Sequence, residues 1–388
     1  MRLFLVFFLL SYGGMNAYVA HAQVRALGLR GSRHRWWFYA WACLATALPI
    51  LVNLGEGNGA WRVPLTWIAL TWMGLVLWAV AVFLCVDLWN LAVATLSLPR
   101  GTRGLRRLLL RAPSRAVTVG CVLLVLAVWG TAESLAVRLV DHQIPVRSLP
   151  EGVDSVRLVQ VTDIHWGRIL RMGLARRIIG RVRQARPDIL VSTGDLIDSP
   201  HPEVSALLAT LGEVATPLGK FAVIGNHEVY SGTSESERML QEAGFEVLRG
   251  KGAEPVPGLW IWGVDDPAVG HRDGGNGFVD ESSLPELPQD QGFLVLLKHQ
   301  PTVTAEAASR CDLQLSGHTH KGQIFPFGLL VRLIYPYPHG RLVELSERLN
   351  LYVSPGAGTW GPPFRFLARP EVTVFELVRE PLMTRPTP

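Results

Sequence analysis

The chain has 388 residues and a formal charge of +5, more than one average domain requires. Its mean hydropathy of +0.24 is high for a soluble chain, and the apolar excess sits in about the first 140 residues, which suggests a membrane part ahead of a soluble part of about 235. The positive charge does not point to nucleic acid, and no such partner is expected: the arginines gather in loops between apolar segments, where basic residues orient helices in a bilayer.

Four apolar segments, at about 3–20, 36–54, 67–96 and 116–137, predict a transmembrane region of about four helices over residues 1–137. The first follows Arg2 like a signal peptide, but its length and the absence of a small-residue cleavage site favour a retained helix. The third is long enough to tilt or to run into the interface. One loop carries Arg25, Arg30, Arg33 and Arg35; another carries Arg100, Arg103, Arg106, Arg107, Arg111 and Arg115. In the loop between them Arg62 is balanced by Glu56. The two basic loops are therefore expected in the cytoplasm, which puts everything after the fourth segment on the extracytoplasmic side of the cell membrane. Asp87 falls near a cytoplasmic end and reads as interfacial rather than as part of a transport path. Trp36, Trp37, Trp61, Trp67 and Trp89 read as interfacial belt residues. The lipid bilayer is the expected partner of this multi-pass region.

Residues 138–150 read as a linker ending at Pro150, residues 151–380 as a folded domain, and 381–388 as a flexible tail. Within the domain, Val156–Val161, Ile189–Ser192, Phe221–Ile224, Leu259–Trp262, Phe293–Leu297 and Leu313–Leu315 predict buried strands. Arg171–Gln184, Glu203–Leu211, Glu235–Glu242 and Val303–Ser309 predict helices, and Leu351–Ser354 and Val372–Leu377 add late strands. Gly270–Gly277 reads as a glycine-rich loop. This alternation predicts an α/β domain with functional loops at strand ends.

Potential metal ligands fall just past those strands. Asp163-Ile164-His165 follows the first; an i, i+2 pair in an extended segment points both side chains one way. Gly194-Asp195 follows the second, with Asp198 three residues on, and Gly225-Asn226-His227-Glu228 follows the third. His299 comes after the fifth and Gly317-His318-Thr319-His320 after the sixth. A single DxH or HxH is commonly an ordinary polar turn. Five strand ends carrying Asp, Asn or His along one sheet edge are not. Cys43, Cys85 and Cys121 lie in apolar segments and Cys311 stands alone, so neither a disulfide framework nor a CxxC zinc pattern is visible, and a metal must use oxygen and imidazole.

The ordered run D-x-H, G-D, G-N-H-E, H, G-H-T-H resembles the signature of the calcineurin-like metallophosphoesterases over about residues 155–380. Gly263-Val264-Asp265-Asp266, Gly317 to Ile324, and Gly358-Thr359-Trp360-Gly361-Pro362-Pro363-Phe364-Arg365-Phe366 are similar to a bacterial membrane-associated subgroup; some of its members have Gly where this chain has Lys321. The resemblance implies a four-layer α/β/β/α sandwich with two divalent metals at one end. Asp163, His165, Asp195 and His320 would hold one, and Asp195, Asn226, His299 and His318 the other, with Asp195 bridging. Such a ligand set suits Mn, Fe or Zn. The resemblance also implies hydrolysis by a metal-bridging hydroxide, with His227 stabilising the transition state or protonating the leaving group, oriented by Asp198 or a backbone carbonyl. Asp265 and Asp266 read as turn residues before extra ligands. Arg365 reads equally as a phosphate contact or a structural residue. Trp166, Tyr337 and His339 read as pocket wall or packing.

The leading functional expectation is a membrane-anchored phosphoesterase acting on a phosphodiester or phosphomonoester, with a lipid-linked ester among its candidate substrates. A UDP-2,3-diacylglucosamine pyrophosphatase-like activity in lipid A synthesis ranks lower, because that substrate is made in the cytoplasm. A transporter or sensor with a regulatory metal-binding domain is the reading from another class. It is weakened by the few ionisable residues in the helices, Asp87 and Glu133, and by the complete ligand set.

Overall fold

The computed structural model describes residues 2–52, 61–98, 100–167, 169, 171–272, 277–287 and 292–380. The loop containing Glu56, half of the glycine-rich stretch (273–276) and the expected tail lie outside the described residues. The chain divides into two compact units: Met1–Ala132 with Gly361–Phe364, and Glu133–Trp360 with Arg365–Pro388.

The first unit contains α1 (Arg2–Ala26), α2 (Arg35–Leu51), α3 (Arg62–Leu96) and nearly all of α4 (Ser114–Leu135), one at each predicted apolar segment. Among the described residues, α3 and α4 are long and apolar enough to cross a bilayer. With 35 residues, α3 extends about 52 Å, well beyond the roughly 30 Å hydrocarbon core. Helix α2 has 17 residues with Pro49 inside it, short of the roughly 20 that span a bilayer. Of the four expected spans, two are thus matched by helices long and apolar enough to cross a bilayer among the described residues. Asp87 is ion-paired with Arg115 at 2.8 Å and accepts a hydrogen bond from Tyr18 at 3.2 Å. A carboxylate tied to two partners suits a structural role better than transport.

The second unit begins with β1 (Arg138–Val146), β2 (Ser155–Val161), α5 (Met172–Ala185), β3 (Ile189–Ser192), α6 (Pro202–Gly212), β4 (Lys220–Ala222) and α7 (Asn226–Glu242). There follow β5 (Glu246–Val247), β6 (Lys251–Val256), β7 (Leu259–Gly263), α8 (Pro267–Arg272), β8 (Phe293–Leu297), α9 (Ala305–Arg310) and β9 (Leu313–Ser316). The unit closes with α10 (Gly328–Ile334), β10 (Leu342–Glu344), β11 (Asn350–Val353) and β12 (Glu371–Arg379). One six-stranded sheet has the order β1-β12-β2-β3-β4-β5, and the other β10-β11-β9-β8-β7-β6.

Strand periodicity explains the layering. In β2, Val156 and Leu158 pack between the sheets while Val159 and Val161 face helices. In β8, Val295 and Leu297 face the inter-sheet core, whereas Leu294 and Leu296 face the opposite way with Ala307 of α9. Side chains alternate along a strand, and strands buried on both faces must be apolar throughout. Helices α5 and α6 supply Ile178, Val182, Leu208 and Leu211 to the outer face of the first sheet. The result is the expected four-layer α/β/β/α sandwich.

The expected linker at 138–150 is largely a strand. β1 runs parallel to β12 from Arg138↔Glu371 to Val146↔Arg379, forming the edge of the first sheet. It buries Ile144 and Val146 in the inter-sheet core. Its mixed sequence, with Asp141, Gln143 and Pro145 among apolar residues, is characteristic of an edge strand. Helix α7 begins at Asn226 rather than near Glu235, across an interruption at Gly232 (φ 119°). Asn226 and His227 therefore sit in a helical first turn, not in a loop.

Candidate metal centre

The first sheet delivers three ligand-bearing segments past β2, β3 and β4, and the second sheet delivers two past β8 and β9. The turns are tight. Asp163, His165, Asp195, His318 and His320 all have left-handed backbone, with φ of 53°, 57°, 55°, 71° and 48°. This conformation costs non-glycine residues about 1–2 kcal/mol each and marks functional segments. The extended backbone anticipated for Asp163-Ile164-His165 is absent. Hydrogen bonds from Asp163 N to Gly194 O and from His165 N to Asp195 O, both 3.0 Å, dock this turn against the next one. Close approach also requires Gly225, where a Cβ would lie 2.2 Å from Asp195 Oδ1.

The seven predicted ligands converge. Asp163, His165 and His320 form one group of mutually close ligand atoms; Asp195, His299 and His318 form another; Asp195 also groups with His165 and His227. His165 Nε2 is 2.8 Å from His320 Nε2 and 3.8 Å from Asp195 Oδ2. His320 Nε2 is 3.5 Å from Asp163 Oδ1. On the other side, His299 Nε2 is 3.1 Å from Asp195 Oδ2, 3.1 Å from Asn226 Oδ1 and 3.2 Å from His318 Nδ1. Asp195 thus lies between two sets of candidate donors.

Neighbouring groups fix how the ligands point. His165 Nδ1 lies 2.6 Å from Asp198 Oδ1, and His299 Nδ1 lies 2.8 Å from the Thr193 carbonyl. Both partners only accept, so each Nδ1 carries a proton and each Nε2 is turned toward the cluster, the arrangement metal-binding histidines use. The same Asp198 Oδ1 lies 2.8 Å from Nδ1 of His227. The Glu228 carboxylate accepts backbone hydrogen bonds from Asp195, Leu196, Ile197 and Gly225 at 2.6–2.9 Å, pinning the Asp195 turn to the start of α7.

Burial opposes charge throughout the cluster, and neighbours decide the outcome. Burial raises the Asp163 carboxyl, with His299 opposing and Asp195 adding to the shift. For Asp195 burial is outweighed by His299 and His165, which hold it well below the usual carboxylate range. His165 is raised to about 9 against burial by Asp198, Asp195 and Asp163. Burial and then His299 push His318 down to about 3. Burial and then His165 and Arg365 keep His320 neutral. The carboxylates draw positive charge onto His165 and His299, while His318 and His320 stay neutral; oxygen and imidazole donors of this kind fit divalent cations.

The remaining sequence expectations resolve individually. Asp265 is paired with Arg249 at 2.7 Å, and Asp266 accepts from Gln300 at 3.0 Å and from the Ala268 N–H at 2.8 Å. Both are structural. Arg365 is fully buried; it donates to the carbonyls of Gly358, Pro355 and Ala368 and lies 3.2 Å from His320 Nδ1. It braces the site rather than meeting phosphate. Trp166 is buried packing. His339 Nε2 lies 2.6 Å from Thr319 Oγ1, beside the ligand segment. Glu228 had no assigned role from sequence, although Gly225 and Glu228 have the spacing of a capping box. Tyr335, at the start of the loop that carries Tyr337 and His339, donates to Gln300 at 3.1 Å, its ring 5.5 Å from that of His318. The cluster is open where His227 (18% exposed) and Asp198 (28%) reach solvent. Tyr230 and Trp360 flank that opening, their rings 5.8 Å from His227.

Residues 156–322 match the model of the calcineurin-like phosphoesterase family. An uncharacterized metallophosphoesterase of Aquifex aeolicus is 37% identical over 65% of this chain and 96% of its own length. A zebrafish (Danio rerio) transmembrane protein with metallophosphoesterase domain is 34% identical over 64% of this chain and 59% of its own. The uncharacterized metallophosphoesterase YkuE of Bacillus subtilis is 32% identical over 61% of this chain and 84% of its own.

Proposed function

Because this chain belongs to the calcineurin-like phosphoesterase family, we propose that it is a membrane-anchored, metal-dependent hydrolase of phosphoric esters, monoester or diester. The observation that carries this reading is the convergence of Asp163, His165, Asp195, Asn226, His299, His318 and His320 beside a histidine, His227, held by Asp198. Asp163, His165, Asp195 and His320 would hold one divalent cation. Asp195, Asn226, His299 and His318 would hold the second, with Mn, Fe or Zn suited to the donors. Such cations, when bound, neutralise phosphate oxygens and acidify water.

The chain's own residues supply the rest. Hydrolysis joins a water oxygen to phosphorus, breaks the ester P–O bond and delivers a proton to the departing oxygen. His227 donates from Nδ1 to Asp198, which leaves Nε2 to carry that proton. Tyr230, Trp360 and Tyr335 line the approach to the cluster. The arginine-rich loops support an extracytoplasmic catalytic unit at the cell membrane.

The test uses the purified full-length chain in detergent. Hydrolysis of bis(p-nitrophenyl) phosphate is expected with added Mn and is expected to stop with chelator. His227→Ala should slow release of a poor alkoxide leaving group at least tenfold more than release of p-nitrophenolate, because only the former needs the proton. Equal losses would refute the role given to His227, and absence of Mn-dependent turnover would refute the activity.

A further inference from the structure

The segment that follows the last candidate ligand is apolar and largely exposed. Phe325 and Phe327 are each 44% exposed, Leu329 53%, Leu330 57%, Leu333 82% and Ile334 72%. Helix α10 has no buried residue, whereas a helix on a soluble domain normally buries its apolar stripe. Contiguous exposed apolar surface of this kind marks an interaction site. The charges beside it have one sign: Lys321, Arg332 and Arg341 lie between Lys321 and Val343, with no Asp or Glu in that stretch. Arg332 is itself on α10 and exposed. An apolar ridge flanked by basic residues complements a membrane surface, with acyl chains for the ridge and anionic headgroups for the rim.

This ridge is built into the site. It begins five residues after His320, and Gly322 packs so closely on Gly328 that a Cβ there would meet its Cα at 2.2 Å. It ends at Tyr335, which is hydrogen-bonded to Gln300 and lies against His318. Two helices of the chain are also long and apolar enough to cross a bilayer, which supports a membrane as the partner of this ridge.

We infer that Phe325–Ile334 inserts into the bilayer interface, and that the phosphoester taken by the adjacent cluster is one borne on a membrane-embedded lipid. The insertion stands on its own observations; the substrate class rests on the hydrolytic reading above. The bond broken is still the ester P–O bond, water supplies the new P–O bond, and the leaving alcohol takes up the proton.

The experiment reconstitutes the full chain in nanodiscs. In a background with Cys43, Cys85, Cys121 and Cys311 replaced by Ala, an environment-sensitive fluorophore is attached at Leu333→Cys or, as a control, at the exposed Glu213→Cys. Lipids with doxyl groups on their acyl chains are expected to quench the first at least threefold more than the second. Equal quenching would overturn the insertion. Separately, hexadecyl p-nitrophenyl phosphate in the nanodisc is compared with water-soluble methyl p-nitrophenyl phosphate. The native chain should favour the lipid-borne ester at least tenfold in kcat/KM. Leu333→Glu/Ile334→Glu should abolish that preference while hydrolysing the soluble ester within twofold of native. No preference in the native chain would overturn the lipid assignment. Turnover of neither ester would refute the hydrolytic reading and the substrate class with it, and the quenching would still decide the insertion. If the double variant instead converted a dimer to a monomer with quenching unchanged, the ridge would be a protein interface and the inference would fail.

Discussion

Asp198 shows how one side chain can organise a site without being a ligand. A single carboxylate oxygen faces the Nδ1 atoms of both His165 and His227. Asp198→Asn removes the charge and one of the two strong acceptor arrangements. It is expected to weaken Mn affinity about 10–100-fold, the range for loss of such an outer partner, and to lower kcat further at saturating Mn. Metal titration followed by steady-state kinetics checks both; full kcat at saturating metal would remove Asp198 from the account of His227. Gly225→Ala drives a methyl into Asp195 and is expected to lose bound metal, as measured by elemental analysis of the purified chain. Gly180→Ala is the contrasting case, since a Cβ in α5 meets nothing within 4 Å. It should raise stability by about 0.5–1 kcal/mol and leave metal content unchanged. The candidate ligands could be read because their residue types are distinctive and recur after apolar runs. Asp198 could be named only as one of two ways to orient His227, and its contact with His165 and the role of Glu228 were not legible. Their roles depend on which donors the fold brings to them, and isolated carboxylates look alike in sequence.

At the level of elements, the buried strands could be read from β-branched and Leu-rich runs. β1 could not, because an edge strand alternates polar and apolar residues and contains a proline. β1 also holds a titratable group in an aromatic setting. His142 lies 4.9 Å from the Tyr352 ring and 5.7 Å from the Phe375 ring, centroid to centroid. Burial lowers its pKa, with Asp141 partly opposing. A histidine kept neutral by the fold gives its full stabilising contribution above the unfolded-state value near 6.5, and that contribution is lost as pH falls below it toward the lowered folded value. The melting temperature of the full chain should therefore fall as pH drops below about 6.5, and His142→Leu should flatten that slope. An unchanged slope would mean that His142 is not what couples this edge of the sheet to pH. α10 was equally hidden. The nine residues between Pro326 and Pro336, apolar apart from Gly328 and Arg332, look like a buried segment, and only their exposure shows otherwise.

For the whole molecule, hydropathy divided the chain into a helical region and a sandwich, and the proposed extracytoplasmic side of the sandwich rests on the arginine loops alone. A reporter fused after Pro388 should be active only in its extracytoplasmic form; activity of a cytoplasmic reporter would reverse the assigned orientation. The central claim concerns the cluster where the two sheets present their loops. The most direct measurement is the metal content and Mn-dependent bis(p-nitrophenyl) phosphate turnover of the full chain beside its Asp195→Asn variant. Two divalent ions per chain and turnover in the native protein, with turnover down at least a thousandfold in the variant, is the predicted result. A native chain that binds no metal, or a variant that keeps full turnover, would contradict it.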